Sequence, residues 1–216
     1  MSDLIVFGAG GRLGRVVIDE AVRRGLAVTA VVRDPDAHAQ LAAEGVAVLA
    51  ADAASVDEVA TVAAGHTTAI SALGPYPDSA PGYLTAIQLA VFDGVARAGV
   101  ERLLFVGGAG SLTVDGGGRL VDQPGFPDVA KPTALAHADA LDAIRDAETT
   151  VDWLVISPPA IFDPTGQRSG SYRLGGTSLL LADDGASHGS YADYAVALLD
   201  EVERPAHHRA HICVGD

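Results

Sequence analysis

The feature that most constrains this chain lies at its start. Four apolar residues, Leu4-Ile5-Val6-Phe7, run directly into Gly8-Ala9-Gly10-Gly11-Arg12-Leu13-Gly14, and a helical pattern opens at Arg12. A short apolar run that ends at glycine reads as a buried strand. From Arg12 to Arg24 the residues Leu13, Val16, Val17 and Ala21 share one side, and Gly25 stops the pattern. A strand that turns into a helix through three spaced glycines brings backbone N–H groups together at a helix start. Those groups and the positive end of the helix dipole favour an anion there.

The alternation continues through the first half. Strands are expected at 27–32, 46–49, 68–73 and 103–106, and helices at 35–44, after Ser55, and at 81–98. Pro35 opens one helix and Gly45 follows its end, while Gly99 closes another. Ser55 with Glu58 three residues on forms a capping box. Strands alternating with helices of this length imply βαβ units and a mostly parallel sheet with helices on both faces. Right-handed crossovers give the doubly wound strand order 3-2-1-4-5. Ligands of such sheets lie at the carboxyl ends of the strands.

The second half is less regular. Residues 107–131 read as a long Gly-, Pro- and Asp-rich loop, which in a compact domain is usually functional or mobile. A helix is expected at 133–148, a strand at 151–156, a hairpin at 172–181 around Gly175-Gly176, a helix capped by Ser190 at 191–202, and a last strand at 210–214. No linker divides the chain, so one α/β domain over 1–216 is expected, with a small C-terminal substrate lobe from about 157.

Composition narrows the function. The formal net charge of −14 argues against a nucleic-acid partner, and no apolar run is long enough for a membrane helix. The start Met1-Ser2-Asp3 has no basic segment, and Cys213 is the lone cysteine, so a reducing cytoplasm is expected. A monomer or homodimer acting on a small molecule fits this chain. The lone lysine, Lys131, leaves little room for lysine chemistry.

Gly8, Gly11 and Gly14 fit G-x-x-G-x-x-G; the stricter G-x-G-x-x-G fails at Leu13. Gly8 allows the tight turn, Gly11 the close approach of a pyrophosphate, and Gly14 close helix packing. A dinucleotide site therefore includes Gly8, Gly10, Gly11, Arg12, Leu13 and Gly14. At the end of the second strand, Val31-Val32-Arg33-Asp34 places Arg33 where a ribose 2′-phosphate would lie. That favours NADP(H). NAD(H) follows if Asp34 instead meets the ribose. Asp52 and Ala53 are expected beside the adenine, Ala72, Leu73 and Gly74 beside the ribose, and Gly108, Pro158, Pro159, Ala160 and Ile161 near the nicotinamide.

Candidate catalytic groups are fewer. No tyrosine is followed four residues later by lysine, and no G-x-S-x-G elbow occurs. His137, on the helix that would carry such a lysine, is either a catalytic or a structural histidine. Ser111, just past the fifth strand, either bonds an acceptor or serves the turn. His207, His208, His211 and Cys213 read as a polar edge strand rather than a metal site.

These residues resemble the atypical short-chain dehydrogenase/reductases, the NAD(P)H-binding, NADH-flavin-reductase-like and NmrA-like proteins, and are similar to the biliverdin/flavin reductase of animals. The resemblance rests on residues 5–14, Val32-Arg33-Asp34-Pro35, Gly107-Gly108-Ala109-Gly110-Ser111-Leu112, Ile156-Ser157-Pro158-Pro159-Ala160, Gly170-Ser171-Tyr172-Arg173, Ser190-Tyr191-Ala192-Asp193-Tyr194-Ala195 and residues 201–205. It implies hydride transfer from NAD(P)H to a flavin, a quinone or a similar acceptor. The animal flavin reductase has a histidine just after its Pro-Pro, where this chain has Ala160. The NmrA-like relatives imply the alternative, an NADP-binding redox sensor without turnover.

Overall fold

The computed structural model describes residues 4–76 and 79–216. Its centre is an eight-stranded, mostly parallel sheet built from β1 (Leu4–Phe7), β2 (Val28–Val32), β3 (Val46–Ala50), β4 (Thr68–Ser71), β5 (Arg102–Val106), β6 (Asp152–Ser157), β8 (Arg173–Gly175) and β10 (Ala210–Gly215). The order is β3-β2-β1-β4-β5-β6-β10-β8, so the expected 3-2-1-4-5 core is present and extends past β5. Every residue of β1, β2 and β5 is buried, as expected for parallel strands covered on both faces.

The helices are α1 (Arg12–Arg23), α2 (Val56–Ala63), α3 (Tyr83–Ala98), α4 (Lys131–Asp146) and α5 (Tyr191–Glu203). Leu4 and Val6 join one core with Val17, Ile18 and Leu198 from α1 and α5. Ile5 and Phe7 join the other with Val91, Val95, Leu141 and Ile144 from α3 and α4. The period-2 alternation of β1 thus divides its side chains between two helical layers. Glu20, buried in α1, pairs with Arg24 and also with Arg168, which ties the 163–172 segment to the first helix.

Four expectations change. The helix expected at 35–44 is a 3-10 segment, Asp36–Leu41, broken at His38 by φ −125° and ψ 28°. The hairpin expected at 172–181 does not form. Instead β8 pairs antiparallel with β10, where a Cβ on Gly175 would lie 2.9 Å from Cys213 Sγ. Gly175 therefore permits close strand approach rather than a turn. For the same reason β10 is an interior strand rather than an edge, and His211 and Cys213 are buried. Finally, Ile161–Asp163 (β7) and His188–Ser190 (β9) form a separate two-stranded parallel sheet that the sequence did not announce. The 107–131 stretch is held by 3-10 turns at Ala109–Ser111 and Leu120–Asp122.

Candidate functional site

The strand order reverses between β2 and β4, on either side of β1, and the glycine loop sits at that point. Gly8 has φ +79°, and a Cβ there would lie 2.8 Å from the Ala72 backbone. A Cβ on Gly14 would collide with the Gly8 carbonyl oxygen, so α1 packs onto the strand end only because both residues are glycine. Gly11 caps α1 in extended geometry, with φ −71° and ψ 165°, and its N–H bonds the Gly8 carbonyl at 3.0 Å. No side chain caps α1 and its first turn holds no acid. The amides of that turn therefore face the cleft with their positive partial charge unanswered.

Two cavities meet over this loop. One, of about 780 Å³, is lined by Gly8, Gly10, Gly11, Arg12, Leu13, Arg33, Asp52, Ala53, Ala72, Leu73 and Gly74, which are all but one of the residues expected around the phosphates, the adenine and its ribose. Gly14 lies beneath it, in the helix packing. The second, of about 810 Å³, is more apolar. It holds Gly108, Pro158, Pro159, Ala160 and Ile161, together with His137, Phe126 and Phe162. Arg12, Leu13, Ala72–Pro75 and Tyr191 border both, so the two spaces form one cleft across the carboxyl ends of the strands.

The charges are distributed unevenly. Acidic residues outnumber basic ones by 28 to 14. Yet among the described residues Arg12, Arg15 and Arg33 have no carboxylate within ion-pair distance, whereas Arg24, Arg102, Arg119 and Arg168 all do. Arg33 donates to the Tyr76 hydroxyl at 3.1 Å and lies 4.9 Å above that ring. Asp34 Oδ1 accepts from the Asp36 and Ala37 amides at 3.0 and 3.2 Å, so it closes the next turn. The capping box at Ser55 forms only half: Ser55 Oγ accepts from Glu58 N, but the Glu58 carboxylate reaches Asp52 N at 2.9 Å and fixes the end of β3.

On the apolar side, burial pushes His137 down to about 4, so its imidazole is neutral at pH 7. It has no hydrogen-bond partner among the described residues, and a Cβ on Gly74 would lie 3.9 Å from its Nε2. Ser111, in contrast, is buried behind the cleft wall. Its hydroxyl donates to the Gly108 carbonyl at 2.8 Å and lies 3.2 Å from Ser157 Oγ. Ser157 also donates to Gly108 O, at 3.0 Å, and lies 2.8 Å from His211 Nε2. Arg145 sits 3.1 Å from His211 Nδ1. A guanidinium only donates, so His211 accepts at Nδ1 and carries its proton on Nε2. Burial, with Arg145 and Arg119, holds His211 near a pKa of about 4. The Gly107-Gly108 turn is thus anchored from behind by a neutral hydroxyl–imidazole chain. The remaining histidines of the C-terminal cluster are divided: His207 bonds Glu201 and His208 bonds Asp152.

Sequence reasoning missed Tyr191, His38, Arg15 and Tyr76. Tyr191 opens α5, packs on Phe162 with ring centroids 4.1 Å apart and borders both cavities; its signals were the Ser190 cap and its place in the segment 190–195. The other three come from separate elements, and only the folded chain gathers them.

Over 204 residues the chain is 36% identical to the uncharacterized protein YwnB of Bacillus subtilis, covering 94% of this chain and 92% of that one. Among solved structures, a protein of Bacteroides thetaiotaomicron named a "putative epimerase" superposes with a TM-score of 0.89 at 38% identity, over 98% of this chain and 95% of that one. SP1627 of Streptococcus pneumoniae, named a "putative NADH-flavin reductase", superposes with a TM-score of 0.83 at 34% identity over the full length of both chains. A Burkholderia pseudomallei protein named a "putative exported protein" matches with a TM-score of 0.88 at 38% identity, also over the full length of both. No helix among the described residues is long and apolar enough to cross a membrane. The family model described as NAD(P)H-binding matches residues 8–202, which include the glycine loop, nearly all of the lining of both cavities and most of α5, and the chain belongs to that family.

Proposed function

We propose that the protein is an NADPH-preferring reductase of the cytoplasm that passes hydride to a small planar acceptor such as a flavin or a quinone. The observation that carries the reading is the joined cleft: an uncapped helix start flanked by unpaired arginines on one side, and an apolar chamber with an unpartnered histidine on the other. NADPH supplies the hydride when bound; everything else falls to the chain.

The amides of Arg12 and Leu13 would hold the pyrophosphate, and Arg12 and Arg33 would balance the negative charge of the cofactor. Asp34 Oδ1 closes the turn that follows β2, and Arg33 beside it, with no carboxylate partner among the described residues, supplies the charge that supports a 2′-phosphate. Pro158–Ile161 and Gly108 border the chamber into which the nicotinamide would reach. His137, neutral at pH 7, would donate a ring N–H to the acceptor atom that gains charge, and the proton that completes reduction comes from solvent once the reduced acceptor leaves the chamber. The apolar walls, with Phe126 and Phe162, exclude water and hold the acceptor flat. A similar protein bearing the NADH-flavin reductase name supports this reaction class.

The test combines the protein with NADPH or NADH and a panel of FMN, FAD and quinones while the nicotinamide absorbance is followed. NADPH consumption with at least one acceptor is expected, and Arg33→Ala should raise KM for NADPH about tenfold or more with little change for NADH. Tight NADP binding with no turnover on any acceptor would assign the protein to the redox-sensor class, and an equal loss for both cofactors would remove the NADP preference.

A further inference from the structure

The dinucleotide loop accounts for Gly8, Gly11 and Gly14, but Gly10 needs another reason. A Cβ on Gly10 would lie 2.5 Å from His38 Nε2 and 2.7 Å from its Cε1. The missing side chain therefore makes room for an imidazole that arrives from the turn after β2. His38 reaches this place because it departs from helical geometry in the middle of its 3-10 segment.

Arg15 holds the arrangement from the helix side. Its Nε donates to the Gly10 carbonyl at 3.1 Å, and its NH2 lies 3.4 Å from His38 Nδ1. Because the guanidinium offers only donors, Nδ1 is the acceptor and the ring proton sits on Nε2. That N–H lies against the glycine loop, on the wall of the cavity that also holds Arg12 and Arg33. Arg12, Arg15 and Arg33 carry no carboxylate partner among the described residues, in a chain of net charge −14.

We propose that His38 is a specificity-determining ligand for the phosphate monoester on the cofactor ribose, with Gly10 making room for its ring and Arg15 setting its tautomer. Arg33 supplies charge to that group, and His38 adds a directed N–H donor, which a free ribose hydroxyl would not reward to the same extent. The inference rests on the NADP reading of the Arg33 site.

The experiment measures the binding of adenosine 2′,5′-bisphosphate and of ADP by titration calorimetry, which needs neither an acceptor nor turnover. His38→Ala is expected to weaken the bisphosphate roughly tenfold or more while leaving ADP unchanged, and His38→Gln, which keeps an N–H donor near the Nε2 position, should recover most of the loss. Arg15→Ala, which removes the guanidinium that holds Nδ1, should produce a selective loss of the same sign through a change on another element; with His38→Ala already present it should add little. Thermal melts establish that each variant is folded. Loss of both probes alike, or of neither, in folded His38→Ala would overturn the proposal. Arg33→Ala separates the two levels. If it is selective for the bisphosphate and His38→Ala is not, only the role of His38 fails. If neither is selective, the NADP reading fails with it.

Discussion

The two ends of the cleft are built by different means. At the glycine-loop end the working groups are main-chain amides, and the side chains matter mostly by being absent: Gly8, Gly10, Gly11 and Gly14 clear space for backbone, a ring or a ligand. At the Gly108 end the wall is held by side chains drawn from four elements, Ser111, Ser157, His211 and Arg145, none of which needs to touch the ligand. A backbone site is encoded by a short contiguous motif. A side-chain anchor is encoded by residues up to a hundred positions apart. The first can be damaged locally without loss of the fold; the second couples the site to stability.

The contrast can be broken at either end. The largest effect is expected for Gly11→Val. The backbone at Gly11 is extended, so φ permits a side chain; its Cβ would lie 3.2 Å from the Gly8 carbonyl oxygen, a contact that a small shift of the loop relieves, and its bulk enters the space in front of the α1 amides. Calorimetry should show at least about a 100-fold loss of NADPH affinity, about 3 kcal/mol, with a nearly unchanged melt. A large fall in Tm would mean that the loop is structural as much as functional.

Ser157→Ala addresses the other end. It removes one donor to the Gly108 carbonyl and leaves the His211 Nε2–H without an acceptor. Urea unfolding should show a loss of about 1–3 kcal/mol, with turnover reduced and NADPH affinity kept. Unchanged stability would show that the relay holds nothing.

The smallest effect is in pH. His211 has a folded pKa lowered from 6.5 to about 4, so below about pH 6.5 the unfolded chain binds a proton that the folded chain refuses. Stability is therefore full above that pH and falls as acid is added toward the folded value. His137 shifts the same way. Between about pH 7 and pH 5 the buried His211 should contribute up to about 2 kcal/mol of this loss. His211→Gln should flatten the slope of Tm against pH over that window, and an unaltered slope would assign the pH dependence elsewhere.

The sequence by itself carried the core order of strands, the glycine loop and the stops at Gly25 and Gly99, because the motifs and stops depend on residues a few positions apart and on local φ. It also carried the cleft, since a doubly wound sheet brings the strand ends to one edge. It did not carry β7 with β9, or the pairing of β8 with β10, because three-residue strands have too short a pattern and take their partners from distant segments. Gly175-Gly176 read as a turn, yet Gly175 serves the close approach of Cys213. Ser111 stood one residue from the chamber wall, and only packing decided that its hydroxyl turns inward to Gly108. The glycine motif was legible without the structure because backbone conformation is a local property. The roles of His38, Ser157 and His211 required the structure, because a side chain's direction and partners are set by the elements that pack around it.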